Sequence, residues 1–98
     1  MIVLVAKYHV KEGNVDAVLE ALKEMAPLVA AHEPDASIYH VSVSTEDPNL
    51  VMLYERYTDM DAVAAHRETP HFKEIIEGRI IPMLESRERE FYETVITE

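Results

Sequence analysis

Two imidazoles stand five positions apart in the run AVAAHRETPHF: His66 inside an alanine-rich segment, and His71 directly after the break made by Thr69 and Pro70. Glu55 and Tyr57 close an apolar stretch upstream, Tyr39 lies in another, and Phe72 follows His71. An imidazole titrates near neutrality. Placed in a mostly apolar pocket, it can take a proton from a weakly acidic hydroxyl, while tyrosine hydroxyls orient the substrate oxygen or stabilise its charge. His66 and Glu55 are therefore the candidate catalytic pair, with Tyr39, Tyr57, His71 and Phe72 as candidate substrate-binding residues. Each also has a structural reading. His66 can be a packed helix residue, Glu55 an acceptor that pins it, the tyrosines strand packing, and His71 a capping or exposed residue at a helix start.

Metal chemistry fits these residues poorly. His66 and His71 lack the i, i+4 spacing of a zinc-binding helix, and His9 and His40 make at most one cross-strand pair. There is no cysteine, which excludes disulfides and thiolate ligands or nucleophiles and suits a reducing compartment. The expectation is no metal.

The elements that must position these residues follow from periodicity. Residues 2 to 10 are a strand, and KEGN supplies turn chemistry at Gly13 and a candidate N-cap at Asn14. Val15, Val18, Leu19, Leu22, Met25, Ala26 and Val29 then follow the one-faced helix rule, which predicts a helix to about His32, bent at Pro27. HEPDAS is a connection. SIYHVSVS and LVMLYERYT form two strands joined through TEDPN as an antiparallel hairpin. Asp59 caps a short helix through Arg67, and Thr69 with Pro70 starts another that presents Phe72, Ile75, Ile76 and Ile80 on one side. REREFYETVI, residues 87 to 96, is the last strand, and its charges read as solvated.

The order β-α-β-β-α-β predicts a ferredoxin-like α+β fold with a four-stranded antiparallel sheet, in a single domain over residues 1–98. IVLVA and LVMLY are apolar at both even and odd positions, so they need cover on both faces, whereas two helices cover one. The remaining face predicts a homodimer. A net charge of −10, from 19 acidic and 9 basic residues, argues against nucleic acid and anionic membranes as partners. The opening MIVLVAKYHV lacks the basic region and cleavage site of a leader, so a cytoplasmic location is expected.

LYERYTDMDAVAAHRETPHFKEI, preceded by YHVSVSTEDPN, resembles the antibiotic biosynthesis monooxygenase domain. The carriers are Glu55 and Tyr57 at a strand end, Ala62, Ala64 and Ala65, His66, and the Thr69-x-His71-Phe72 run; KEGNVDAVLEAL and EPDASIYHV fall in matching places. Family members often carry Trp where Tyr57 stands and Gly-Cys or Gly-Ser at Ala36-Ser37. The resemblance implies a dimeric α+β barrel with a pocket between sheet and helices in each subunit. The positions that serve haem in haem-degrading members are Ala6, His66 and Ile76 here, and none carries the needed residue.

The function implied is a cofactor-independent monooxygenase in which deprotonation of a small quinol or hydroxy-aromatic yields an anion that reduces dioxygen directly. A non-catalytic small-molecule-binding dimer and an isomerase of a small hydroxy-ketone remain open beside it.

Overall fold

The computed structural model describes residues 1–97. The first strand, β1 (Ile2–Val10), shows how the sheet is covered: Leu4, Ala6, Tyr8 and Val10 are buried on the even side, while Val5, Lys7 and His9 on the odd side are half-buried. This is the two-residue period of a sheet packed firmly on one face. Gly13 turns the chain with φ of 88°, a conformation that a residue with a Cβ resists. Asn14 occupies the N-cap position of α1 (Val15–His32) but makes no side-chain capping bond, contrary to expectation. Val18, Ala21, Leu22, Met25 and Val29 form the buried stripe of α1. Pro27 lies on its exposed side, where water can replace the missing donor, and the helix continues through it.

β2 (Ala36–Val43) and β3 (Leu50–Tyr57) form the expected antiparallel hairpin, and β4 (Leu84–Glu93) follows the helical segments. The sheet order is β2-β3-β1-β4 with every neighbouring pair antiparallel, the ferredoxin-like arrangement. β4 begins three residues earlier than periodicity predicts and stops at Glu93, so Val95 and Ile96 lie beyond it and are 85% and 78% exposed. The possible meeting of His9 and His40 does not occur, because β3 separates β1 from β2.

α2 (Met60–Glu68) starts as expected, with the Asp59 carboxylate accepting from the Ala62 amide at 2.8 Å. At the Thr-Pro break, the Thr69 hydroxyl donates to the His66 carbonyl at 2.8 Å and accepts from the Phe72 amide at 3.2 Å. One side chain therefore closes α2 and opens the next helix. That helix, α3 (Phe72–Ile80), is π-wound, a feature that the apolar spacing did not foretell. The Ile81 amide reaches back five residues to the Ile76 carbonyl, and Phe72, Ile75, Ile76 and Ile80 are all buried. A 3₁₀ turn, Ile81–Met83, leads into β4.

All three helices cover the same sheet face. One core joins Ala6, Tyr8, Val51 and Leu53 to α1 and α3, and a second joins Leu4 and Tyr57 to Val63 of α2. Leu53 is 0% exposed at the centre of the larger cluster. Leu53→Ala should cost about 2–5 kcal/mol, whereas Asp59→Ala should cost about 1 kcal/mol. Urea unfolding followed by circular dichroism measures both; equal losses would contradict this division between core and cap.

Candidate functional site

A single carboxylate gathers the site. Glu33 is the C-cap residue of α1, where the helix end is already electronegative and a further negative charge needs compensation. It receives that from two imidazoles: His66 Nδ1 lies 2.7 Å from Oε1, and His71 Nε2 lies 2.6 Å from Oε2. His66 and His71 are buried, and Glu33 is half-buried, with 9% of its side chain exposed. Burial pushes the Glu33 carboxyl upward, but the hydrogen bonds from His66 and His71 outweigh it and hold the group below the ordinary carboxylate range. An ionised carboxylate only accepts, so both facing nitrogens carry their hydrogens. In neutral His66 the other nitrogen, Nε2, is then an unprotonated lone pair.

Glu55 faces that lone pair from β3. Its Oε1 is 3.7 Å from His66 Nε2, too far for a hydrogen bond, and accepts from the Tyr57 hydroxyl at 2.5 Å. Burial raises the Glu55 carboxyl, opposed by the Tyr57 hydrogen bond and by His66, so this acid resists ionisation. Glu33, half-buried, and Glu55, buried, are thus two carboxyl groups pushed in opposite directions, with His66 between them. The hydroxyls of Tyr8, Tyr39 and Tyr57 are all pushed upward, by burial first and by Glu55 second, and persist as donors.

The rings complete the enclosure. Phe72 meets His66 edge-on with centroids 5.1 Å apart, Tyr57 stands at 5.4 Å and Tyr39 at 6.2 Å. His66 forms a wall between two spaces. An inner void of about 20 Å³, room for one water-sized group, is lined by Ala6, Tyr8, Tyr39, Glu55, His66 and Phe72 among others. On the other side lies a cavity of about 150 Å³ bordered by Glu33, Ala36, Tyr57, Ala62, Ala65 and His66.

Of the residues singled out from sequence, His66, Glu55, Tyr39 and Phe72 meet at the inner void, and Tyr57 and His66 border the larger cavity. His71 borders neither. It is buried behind Glu33 and beside His32, with ring centroids 6.1 Å apart, and this replaces the capping or exposed position expected for it. Glu33 itself was missed, because HEPDAS reads as a connection. The available signal was an acid at a helix C-terminus, where the dipole disfavours it unless cationic or donor groups are near.

Residues 1–78 match the family model described as antibiotic biosynthesis monooxygenase, and the chain belongs to that family. Among solved structures, a protein from Shewanella oneidensis is 28% identical over 98% of this chain and 92% of its own, with a TM-score of 0.88. A candidate antibiotic biosynthesis monooxygenase from Nitrosomonas europaea is 27% identical over 98% of this chain and 100% of its own, with a TM-score of 0.86. One from Caulobacter crescentus, 24% identical over 97% of this chain and 90% of its own, shares the fold at a TM-score of 0.91. Among the described residues, no helix is long and apolar enough to cross a membrane.

The opposed carboxyl groups give stability two pH limbs. Glu33, lowered in the folded state, contributes stability above the ordinary carboxylate range that is lost as pH falls through its folded value. Glu55, raised in the folded state, contributes stability below that range that is lost as pH rises through its folded value. Urea midpoints measured from about pH 3 to pH 8 should therefore lose their acid limb in Glu33→Gln and their rising-pH loss in Glu55→Gln. Unchanged profiles in both variants would refute the assignment.

Proposed function

We propose that this protein is a cofactor-independent monooxygenase that oxidises a small quinol or hydroxy-aromatic compound, with His66 as general base. The observation that carries the reading is the hydrogen bond from His66 Nδ1 to Glu33, which leaves Nε2 as the basic nitrogen toward the inner void. A substrate hydroxyl fits the space of one water there, with its ring lying outward against Phe72. That Tyr8 and Tyr39 persist as donors in the lining of the same void supports a role for them beside the developing phenolate.

The chemistry asked of the protein is modest. His66 takes the hydroxyl proton, and its imidazolium then lies between the Glu33 carboxylate and the Glu55 carboxyl group. The electron-rich anion passes an electron to dioxygen, and the two radicals combine at a ring carbon. Loss of water from the resulting peroxide leaves a hydroxyquinone. One dioxygen atom enters the product and the other leaves as water, with every electron supplied by the quinol. Glu33 positions His66, and His71 supports Glu33 from behind.

A second reading, a non-catalytic small-molecule-binding dimer, has its own support. The cavity of about 150 Å³ has the volume of an engineered protein cavity that binds benzene, but it meets His66 on the side where Nδ1 is engaged. A ring seated there would be held away from the free nitrogen.

Both readings include a homodimer. The sheet face away from the helices carries Val3, Val5, Met52, Tyr54 and Tyr92 around an open hollow reached by Val95 and Ile96. Among the described residues, Arg56 Nε and Thr94 Oγ1 are buried without a hydrogen-bond partner. Burial of this face by a second copy gives both strand faces their cover.

Oxygen uptake with a panel of quinols and hydroxy-aromatics tests the enzyme reading. His66→Ala should lower turnover by about 10²–10⁴-fold, and Glu33→Gln should shift the pH dependence of the remaining rate. Undiminished turnover without His66 removes it as the base, and binding of phenols with no oxygen uptake favours the second reading. Sedimentation equilibrium at micromolar concentration should show a dimer, and Tyr54→Glu should weaken it; a folded monomer would refute the interface.

A further inference from the structure

The last strand segregates its charges. In the run from Arg87 to Glu90, alternate residues point to opposite faces of the sheet. Glu88 and Glu90 stand on the outer face, where they meet His9 at 2.6 Å and Lys7 at 3.8 Å. Arg87 and Arg89 stand on the helix face, in register with Tyr8 and Ala6, and join Arg67 of α2 at the mouth of the inner void. What reads along the sequence as balanced, solvated charge is a cationic cluster in three dimensions.

None of these arginines forms an ion pair among the described residues. Among the described residues, Lys7, Lys23, Lys73 and Arg79 each have a carboxylate within ion-pair distance, whereas Lys11, Arg56, Arg67, Arg87 and Arg89 have none, and the last three of these gather at one opening. The carboxyl group nearest the mouth in the void lining is Glu55, which burial keeps from ionising readily. Partial loss of solvent first, then Arg67 and Arg87, hold the Arg89 guanidinium below its ordinary range against the attraction of Tyr8 and Glu55, so the like charges act on one another. Three unpaired guanidinium groups at one opening stand out on a chain of net charge −10. Guanidinium presents forked donors suited to the paired oxygens of a carboxylate or phosphate.

We propose that Arg67, Arg87 and Arg89 form an anion-recognition site at the mouth of the His66 void, so that the molecule bound there is a hydroxy-aromatic bearing a carboxylate or phosphate group. The inference rests on the inner void as the substrate site. It adds an orientation: the hydroxyl points in toward His66 Nε2, the ring lies against Phe72, and the anionic group faces outward to the arginines. A dimer formed through the outer sheet face leaves this helix-side mouth open. Arg87 and Arg89 lie on the last strand, beyond residues 1–78 matched by the family model.

Isothermal titration of the full chain with 4-hydroxybenzoate, 4-hydroxyphenyl phosphate and the neutral 4-hydroxybenzamide tests the site without requiring turnover. At least one anionic probe should bind tenfold or more tightly than the amide at low salt, and the stronger of the two identifies carboxylate or phosphate as the preferred group. The preference should shrink with added salt and disappear in the Arg87→Gln, Arg89→Gln double variant, whose fold is checked by circular dichroism. Because both side chains are exposed, this variant should fold; Arg67→Gln provides a third, independent reduction. Equal affinity for charged and neutral probes, no binding by any of them, or a preference untouched by the substitutions would overturn the proposal. An anion preference without oxygen uptake would retain the site and discard the monooxygenase reading, while equal uptake on charged and neutral phenols would do the reverse.

Discussion

Glu33 between His66 and His71 is the contact on which the site depends. A carboxylate at the C-terminus of α1 opposes the helix dipole, and the two imidazole donors turn that unfavourable position into a stable one. Because each oxygen takes a different histidine, the bond also ties the end of α1 to α2 and to the start of α3. One ionised group thereby sets the His66 tautomer and locks three helical segments around it.

Thr69 does comparable work through neutral bonds. Its hydroxyl closes the last turn of α2 on the His66 carbonyl and supplies an acceptor for the first free amide of the next helix. Proline at position 70 needs no donor there. The break that separates the two histidines in the sequence therefore brings their side chains onto the same carboxylate. The π-wound turn that follows keeps Phe72 and Ile76 on the void while Ile75 and Ile80 fill the core.

Two carboxyl groups of the same chemistry are pushed in opposite directions because their surroundings differ. Glu33 has two nitrogen donors and ionises easily; Glu55 has one phenolic donor, deep burial and a longer distance to His66, and does not. Environments that push paired titratable groups apart are how acid and base roles become distinct at one pH. In this protein that separation arises from position in the fold, since one acid sits at a helix end and the other in the middle layer of a sheet.

By itself, the sequence determined the element order, the apolar stripes of α1 and α3, the β2–β3 hairpin and the caps at Asp59 and Thr69. Those signals are local: a period of two or of 3.6, a turn residue, a side chain bonding three positions away. His66, Glu55, Tyr39 and Phe72 were grouped through the family resemblance and the chemistry it implies, since periodicity alone does not resolve which side chains share a pocket; in the structure all four line one void. Glu33, the buried role of His71, the π winding of α3 and the gathering of Arg67 with Arg87 and Arg89 were decided only by the tertiary structure. Each depends on which segments meet across long separations in the chain, and the free energy of a buried charge or a shared carboxylate exists only once those segments are packed together.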